Sequence, residues 1–212
     1  MKHSYFKIPG WFNMHEAYDQ LLDNCEDGDE ILEIGSFMGR STCYLATNII
    51  NSGKKVHVYA LDTFEGSSEH VNLAIAGGFY EKFKDNCKEF IDKGILTPVK
   101  SRSDDVNTLK RFHNKSFQGI IIDGAHEYEP VMEDILNWWP KLKDGGSMVG
   151  DDMSLKSVQQ AVQDTFGKAM CKDSSAIDYI QGYEQWFSVS KGTQTPKCYK
   201  LVPGQNILTK SQ

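Results

Sequence analysis

Short apolar runs separated by amphipathic stretches make up most of this chain. Five runs are bounded by glycine and polar residues, as strands of a buried parallel sheet are, and they lie at residues 31–34, 56–61, 95–99, 117–122 and 147–150. Between these runs apolar residues recur at spacings of three and four, which predicts helices. Residues 168–181 are typical of a loop, and the alternating segments 183–190 and 197–202 predict a closing hairpin. The predicted fold class is α/β, with a doubly wound and mostly parallel sheet, an antiparallel strand near one edge and helices on both faces.

The length of the chain, 212 residues, suits a single domain over 1–212. Within it, residues 1–28 predict an N-terminal helical flap, which either helps to close a ligand site or simply packs on the sheet. Residues 204–212 predict a frayed tail. Pro98 lacks a backbone donor, so the run at 95–99 is expected at the edge of the sheet.

Composition narrows the classes of function. The net charge of −6 argues against a nucleic-acid partner, which would need a basic face. No apolar run is long enough to cross a bilayer and the N-terminus lacks an apolar signal region, so we expect a cytoplasmic protein with no membrane partner. The five cysteines are scattered and none forms C-x-x-C, which favours reduced, buried thiols. Aromatic residues near the N-terminus are compatible with a homodimer.

The stretch 31–42 predicts a buried strand, a glycine turn and a helix start. Gly35 and Gly39 would let a ligand lie close to the backbone, with Ser36 and Phe37 between them. Ser41 falls in the first helical turn, where free N–H groups favour an anionic group. Glu33 places a carboxylate beside the turn, where it could accept hydrogen bonds from a ligand's ammonium group.

This E-x-G-x-x-x-G pattern resembles motif I of the class I methyltransferases that depend on S-adenosylmethionine (SAM), which have a Rossmann-like fold. It differs from the dinucleotide fingerprint G-x-G-x-x-G because position 37 is Phe. By itself the pattern also fits an ordinary strand-to-helix turn.

Further candidate cofactor residues follow the next two predicted strands. Asp62 lies about twenty residues beyond the glycine turn, where doubly wound folds place an acid against a ribose hydroxyl pair. Phe64 could lie against an adenine ring. Ser103 and Asp104 occupy a turn that borders the adenine in methyltransferases of this type, although either residue could instead cap the following helix.

An acidic cluster is expected where the predicted fourth and fifth strands end. Asp123, Asp151 and Asp152 would repel one another there unless a cation neutralised them. Oxygen ligands suit magnesium, calcium or manganese. Such a metal can bind a substrate hydroxyl and lower its pKa, and His126 could then take the proton as the catalytic base. The alternatives left open are that His126 caps a helix or supports the site indirectly, and that Asp152 is a plain N-cap.

Three further segments carry a closer resemblance: I-I-D-G-A-H-E-Y, W-W-P-K-L-K-D-G-G and G-D-D. Together they are similar to the sugar O-methyltransferases related to macrocin O-methyltransferase, and in layout to catechol O-methyltransferase. The resemblance covers about residues 29–167. It implies that Asp123, Asp151 and Asp152 bind Mg²⁺, that Asp123 also borders the cofactor, and that His126 stands where the catechol enzymes carry a lysine.

The function expected from this resemblance is transfer of a methyl group from SAM to a hydroxyl of a small molecule of the sugar or glycoside class. Two other readings remain open at the level of sequence. One is a methyltransferase that works without a metal, and the other is a SAM-binding or nucleotide-binding module without catalysis.

Overall fold

The computed structural model describes residues 1–66, 78–166, 177–182, 185–192, 199–200 and 209–210. Most of the predicted tail at 204–212 lies outside the described residues, as do Cys171 and Cys198. In the described part of the chain, Cys25, Cys43 and Cys87 are buried free thiols, as predicted.

The strands are β1 Glu30–Ile34, β2 His57–Asp62, β3 Leu96–Lys100, β4 Phe117–Ile122, β5 Leu142–Gly150, β6 Ile177–Gly182, β7 Phe187–Lys191, β8 Tyr199–Lys200 and β9 Thr209–Lys210. The helices are α1 His15–Asp23, α2 Arg40–Ser52, α3 Gly78–Asp92, α4 Val106–Arg111, α5 Tyr128–Trp138 and α6 Lys156–Asp164. Short 3-10 turns occupy Tyr5–Lys7 and Trp139–Lys141.

Seven strands form one sheet in the order β3-β2-β1-β4-β5-β7-β6. Strands β1 to β5 are parallel, and β7 runs antiparallel to both of its neighbours near one edge. This confirms the predicted fold class. Strand β3 lies at the opposite edge, as Pro98 predicted.

The predicted closing hairpin was wrong, because it paired the wrong segments of the chain. The partner of β7 is β6, which occupies Ile177–Gly182 and therefore falls partly in the segment predicted as loop. The described part of the segment 197–202 is β8, which pairs with β9 outside the main sheet. Alternation in the sequence marks each of these segments as extended but does not say which of them pair.

Helices cover both faces of the sheet. On one face, Ile31 and Ile121 pack with buried residues of α1, α2 and α3, such as Phe83. On the other face, Leu32 and Ile120 pack with residues of α5 and α6. Trp138 and Trp139 belong to this second core and are almost fully buried.

The N-terminal segment packs against α2. The rings of Tyr5 and Phe12 each lie 5.1 Å from that of Tyr44, measured between centroids. Phe6 and Trp11 nevertheless remain 60% and 75% exposed. Within the described ranges, no helix has both the length and the apolar character needed to span a bilayer.

Candidate active site

A cavity of about 920 Å³ lies along the carboxyl edge of the parallel strands. Its walls are the turns that follow β1 to β5, together with residues 9–11 and part of α5. The carboxyl edge is where open α/β sheets bind ligands. A volume near the upper end of the usual range for ligand pockets leaves room for a cofactor and a small second molecule.

The glycine turn forms one wall of this cavity. Gly35 has φ of +90°, and a Cβ at this position would lie 1.9 Å from the backbone oxygen of Asp123. Only glycine fits there, so Gly35 lets the ends of β1 and β4 approach closely. Ser36, Phe37 and Ser41 also line the cavity, with Ser41 in the first turn of α2.

Gly39 has a different role from the one predicted. It is the N-cap of α2, with φ of +86°, and is not among the residues that line the cavity. A Cβ on Gly39 would lie 2.4 Å from the Sγ of Cys87. Its lack of a side chain therefore makes room for α3 rather than for a ligand.

Glu33 also differs from its prediction, because it lies beneath the turn and is fully buried. Its carboxylate accepts hydrogen bonds from the hydroxyls of Tyr18, Ser36 and Thr42. Burial raises the pKa of Glu33, while these hydroxyl donors oppose that rise. Glu33 thus fixes the position of the turn and does not reach the cavity itself.

Asp62 projects into the cavity and is held by two backbone donors. Its Oδ2 accepts from the N–H of Phe37 at 2.8 Å, and its Oδ1 accepts from the N–H of Phe64 at 2.6 Å. Both phenylalanines have the uncommon left-handed backbone, with φ of 45° and 54°. A carboxylate offers about four acceptor positions, so roughly two remain for a ligand such as a ribose hydroxyl pair.

The side chain of Phe64 does not face the cavity. It is buried, and its ring lies 4.9 Å from those of Tyr80 and Phe83. The prediction that Phe64 contacts adenine is therefore not supported by the structure. The contribution of Phe64 to the site is its backbone N–H.

The turn after β3 lines the cavity with Ser103 and Asp104, as expected for a cofactor wall. Neither residue caps α4, because the N-cap is Asp105, which accepts from the N–H of Thr108 at 2.8 Å. Asp104 instead accepts two hydrogen bonds from Arg102, at 2.8 and 2.6 Å. That contact is the main reason why the pKa of Asp104 is lowered.

One acidic residue of this wall was missed by sequence reasoning. Asp134 lies in α5, is only 5% exposed and lines the cavity. Burial raises its pKa to about 6, against the opposing effect of a hydrogen bond from the Ser103 side chain. The sequence indicates the role of this acid only by placing it on the side of the helix that Val131, Ile135 and Trp138 mark as buried.

Asp123, Asp151 and Asp152 come together at the ends of β4 and β5. One carboxylate oxygen from each lies within 4.8 Å of the others. Burial and the nearby charge of Asp151 raise the pKa of Asp123 well above its usual range. Burial likewise raises the pKa of Asp151 to about 6. Asp152, with φ of +61°, has a backbone conformation that is strained for residues other than glycine and is often found at functional sites.

His126 lies beside this acidic cluster. Its Nδ1 is 2.6 Å from Oδ2 of Asp152, and its side chain is 41% exposed on the cavity wall. Helix α5 has Glu127 at its N-cap, so His126 does not cap that helix, and Asp152 does not cap α6, whose N-cap is Leu155. Both residues therefore belong to the cavity wall rather than to helix termini.

Comparisons with known proteins agree with this geometry. A family model described as "Methyltransferase domain" matches residues 32–153, which include the glycine turn, Asp62 and the acidic cluster. No curated protein sequence matches the chain significantly.

Solved structures share the fold at low sequence identity. An SAM-dependent O-methyltransferase from Thermotoga maritima is 17% identical, with a TM-score of 0.55 over 98% of this chain and 63% of its own. An rRNA methylase from Streptococcus thermophilus is 15% identical, with a TM-score of 0.57 over 86% of this chain and 98% of its own.

The MycE methyltransferase of mycinamycin biosynthesis, solved with Mg, S-adenosylhomocysteine (SAH) and mycinamycin VI, is 17% identical, with a TM-score of 0.59 over 89% of this chain and 52% of its own. At these identities the structural likeness establishes the fold alone, whereas the family model spans more than half of the chain. The chain therefore belongs to the methyltransferase-domain family and is a SAM-dependent methyltransferase.

Proposed function

We propose that this enzyme transfers the methyl group of SAM to a hydroxyl of a small molecule, a sugar or glycoside by preference, with the help of a divalent cation. The observation that carries the proposal is the position of the three carboxylates Asp123, Asp151 and Asp152. They converge on the same cavity that holds the ribose candidate Asp62. One cavity can therefore hold the methyl donor and, next to it, an oxygen nucleophile.

The acidic cluster fits a divalent cation. Three carboxylate oxygens within 4.8 Å of one another form an all-oxygen ligand set, which suits Mg²⁺ or Mn²⁺ rather than zinc or copper. Burial raises the pKa of both Asp123 and Asp151, and the charges of neighbouring acids add to both rises. A bound divalent cation would neutralise these charges and lower the pKa of an acceptor hydroxyl.

His126 is suited to accept the proton from that hydroxyl. Its Nδ1 lies 2.6 Å from Oδ2 of Asp152, and this contact fixes the orientation of the imidazole ring. In the reaction, the hydroxyl oxygen bonds to the methyl carbon as the bond from that carbon to the sulfonium sulfur breaks. The hydroxyl proton passes to His126 and SAH leaves. Asp152 contacts His126 through its Oδ2, so the Oδ1 of Asp152 is the oxygen suited to bind a cation.

The charge of the cavity favours a neutral acceptor. Seven of the described lining residues carry carboxylates, namely Asp62, Asp104, Asp123, Glu133, Asp134, Asp151 and Asp152. The only arginines among the described lining residues are Arg40 and Arg102, and Arg102 pairs with Asp104. With a cation on the acidic cluster, the carboxylates of Asp62, Asp104, Glu133 and Asp134 still favour a neutral hydroxylated sugar over a phosphorylated or nucleic-acid acceptor.

Exposed Trp11 and Leu155 add apolar surface to the wall of the same cavity. Such surface suits the C–H faces of a sugar ring. The MycE complex with Mg, SAH and mycinamycin VI supports the same kind of reaction by analogy.

The second candidate is a methyltransferase that needs no metal. It is favoured by the contact between His126 and Asp152, because a protonated His126 would itself neutralise part of the acidic cluster. The acids would then serve the cofactor and the proton transfer only.

An assay that separates the two candidates measures SAH release. The purified protein is incubated with SAM and a panel of sugars, glycosides and catechols, in Mg²⁺ or in EDTA. We expect turnover with a hydroxylated neutral acceptor in Mg²⁺ and its loss in EDTA, while SAH still binds. Full turnover in EDTA would instead establish the metal-free candidate.

Variants assign the roles of the residues. Asp151→Asn should lower turnover far more than SAH affinity. His126→Ala should slow the reaction by about 10²–10⁴-fold if His126 is the base. The matched control is Asp144→Asn, which removes the same charge from an exposed carboxylate that pairs with Lys115, and it should leave turnover unchanged.

A further inference from the structure

Two residues of the segment that follows β5 hold His126, one at its ring and one at its main chain. Nδ1 of His126 lies 2.6 Å from Oδ2 of Asp152. Oγ of Ser157, in the first turn of α6, donates a hydrogen bond to the carbonyl oxygen of His126 at 2.6 Å. Because His126 follows β4 whereas Ser157 follows β5, this bond joins the two connections that carry the acidic cluster.

The turn between β5 and α6 is closed by hydrogen bonds of its own. The N–H of Leu155 donates to the carbonyl of Asp152 at 2.8 Å. Nε2 of Gln159, one turn into α6, donates to the carbonyl of Met153 at 2.6 Å. Both bonds tie the turn to the helix, so the ring contact and the main-chain contact of the histidine come from one rigid unit.

Helix α6 is in turn fixed to the body of the protein. Its buried residues, which belong to the core on that face of the sheet, are Val158, Ala161 and Val162. At the other end of α6, Asp164 accepts a hydrogen bond from the hydroxyl of Tyr128 at 3.1 Å. Ser157 therefore has a firm support from which its hydroxyl can hold the connection between β4 and α5.

The position of His126 matters because proton transfer depends strongly on distance. A general base acts within hydrogen-bond reach of the proton it takes, about 2.6–3.2 Å between heavy atoms. A displacement of about 1 Å in a reacting group can slow a reaction by about 100-fold. His126 lies in a connection between a strand and a helix, so helical hydrogen bonds do not fix its carbonyl.

We propose that Ser157 is a positioning residue for methyl transfer, because its hydrogen bond to the His126 carbonyl holds the imidazole beside the acidic cluster. The inference rests on the proposed function, in which His126 is the base. Ser157 is not among the described residues that line the cavity. Its effect on the reaction must therefore pass through His126.

The first test measures the kinetics of Ser157→Ala with the acceptor of the panel that gives the highest turnover. We expect kcat to fall about 10-fold, while KM for the acceptor and the affinity for SAH stay within about twofold of the wild type. Alanine is the best helix former, so the change should not weaken α6. Ser157→Thr keeps the hydroxyl and should recover most of the lost kcat.

The matched control is Ser154→Ala, the same substitution at an exposed serine in the turn before α6, and it should keep the wild-type kcat. A double variant then tests whether Ser157 acts through His126. When Ser157→Ala is added to His126→Ala, kcat should change by less than about twofold, because the side chain to be positioned is gone. A full kcat in Ser157→Ala, or an equal loss with and without the His126 side chain, would overturn the proposal.

Crystal structures of the wild type and Ser157→Ala, each with SAH, test the proposal without any turnover. We expect the contact between Nδ1 of His126 and Oδ2 of Asp152 to be lost in the variant, and an unchanged His126 would overturn the proposal. A wild-type protein that methylated none of the acceptors would count against the proposed function, and the two structures would still decide whether Ser157 positions His126.

Discussion

The stability of the protein should depend on pH through Asp134, and Asp134→Asn isolates that dependence. Burial is the main reason why the pKa of Asp134 is raised from 3.8 to about 6, with Asp104 and Glu133 adding to the rise. The Ser103 hydrogen bond and the charge of Arg102 oppose it. The folded protein therefore holds the proton on Asp134 more tightly than the unfolded chain does.

The sign of the effect follows from this difference. As the pH rises from about 4 to beyond 6, the folded protein must ionise a buried carboxyl that the unfolded chain ionises easily, so stability is lost across that window. A shift of about two pH units corresponds to about 3 kcal/mol at full ionisation, since each unit is worth about 1.4 kcal/mol. Asparagine keeps a similar shape and cannot ionise.

Asp134→Asn should therefore be more stable than the wild type at pH 8, by up to about 3 kcal/mol, and the gain should shrink by about 2 kcal/mol on going to pH 4. Urea unfolding of both proteins without cofactor, at several pH values between 4 and 8, measures the difference. Asp123 and Asp151 titrate in both proteins, so their contributions cancel in that difference. A gain that stays constant with pH, or a variant that is less stable at pH 8, would refute the reasoning.

Three further predictions concern other parts of the molecule. Gly39→Ala should lower the free energy of unfolding by about 1–3 kcal/mol, because it combines a left-handed backbone with a clash against Cys87, and unchanged urea midpoints would contradict this. Asp62→Ala should weaken SAM binding by about 1–3 kcal/mol in calorimetry, and an affinity equal to that of the wild type would remove Asp62 from the ribose site. Exposed Phe6 and Trp11 predict self-association, which a clean 24.0 kDa monomer in light scattering would exclude.

The parts of the site that the sequence predicts well are those determined by chain direction. Because parallel strands end at one edge of the sheet, acids that directly follow apolar runs must lie near one another, and Asp62, Asp123 and Asp151 do so. Gly35 lines the cavity, but the close approach that requires glycine there is made by the backbone of Asp123 and not, as the sequence suggests, by a ligand.

The orientation of individual side chains could not be predicted in the same way. The backbone N–H groups of Phe37 and Phe64 hold Asp62, and both residues have a left-handed backbone. An apolar residue in a sequence gives no indication of that conformation. Glu33 is buried together with the other residues of its strand. Three hydroxyls donate hydrogen bonds to its carboxylate there, and they come from the turn itself or from helices outside the strand. Asp134 occupies a position of α5 that helical periodicity assigns to the core, so its exposure to the cavity depends on how α5 packs.

The most direct test of the account is a crystal structure of the protein with SAH and Mn²⁺, using the anomalous signal of manganese to locate the ion. We predict SAH in the cavity with its ribose on Asp62, and a manganese peak at ligand distance, roughly 2.0–2.6 Å, from oxygens of Asp123, Asp151 and Asp152. Well-ordered SAH without manganese at these carboxylates would contradict the metal-assisted mechanism. SAH bound away from Asp62 would contradict the assignment of the cavity itself.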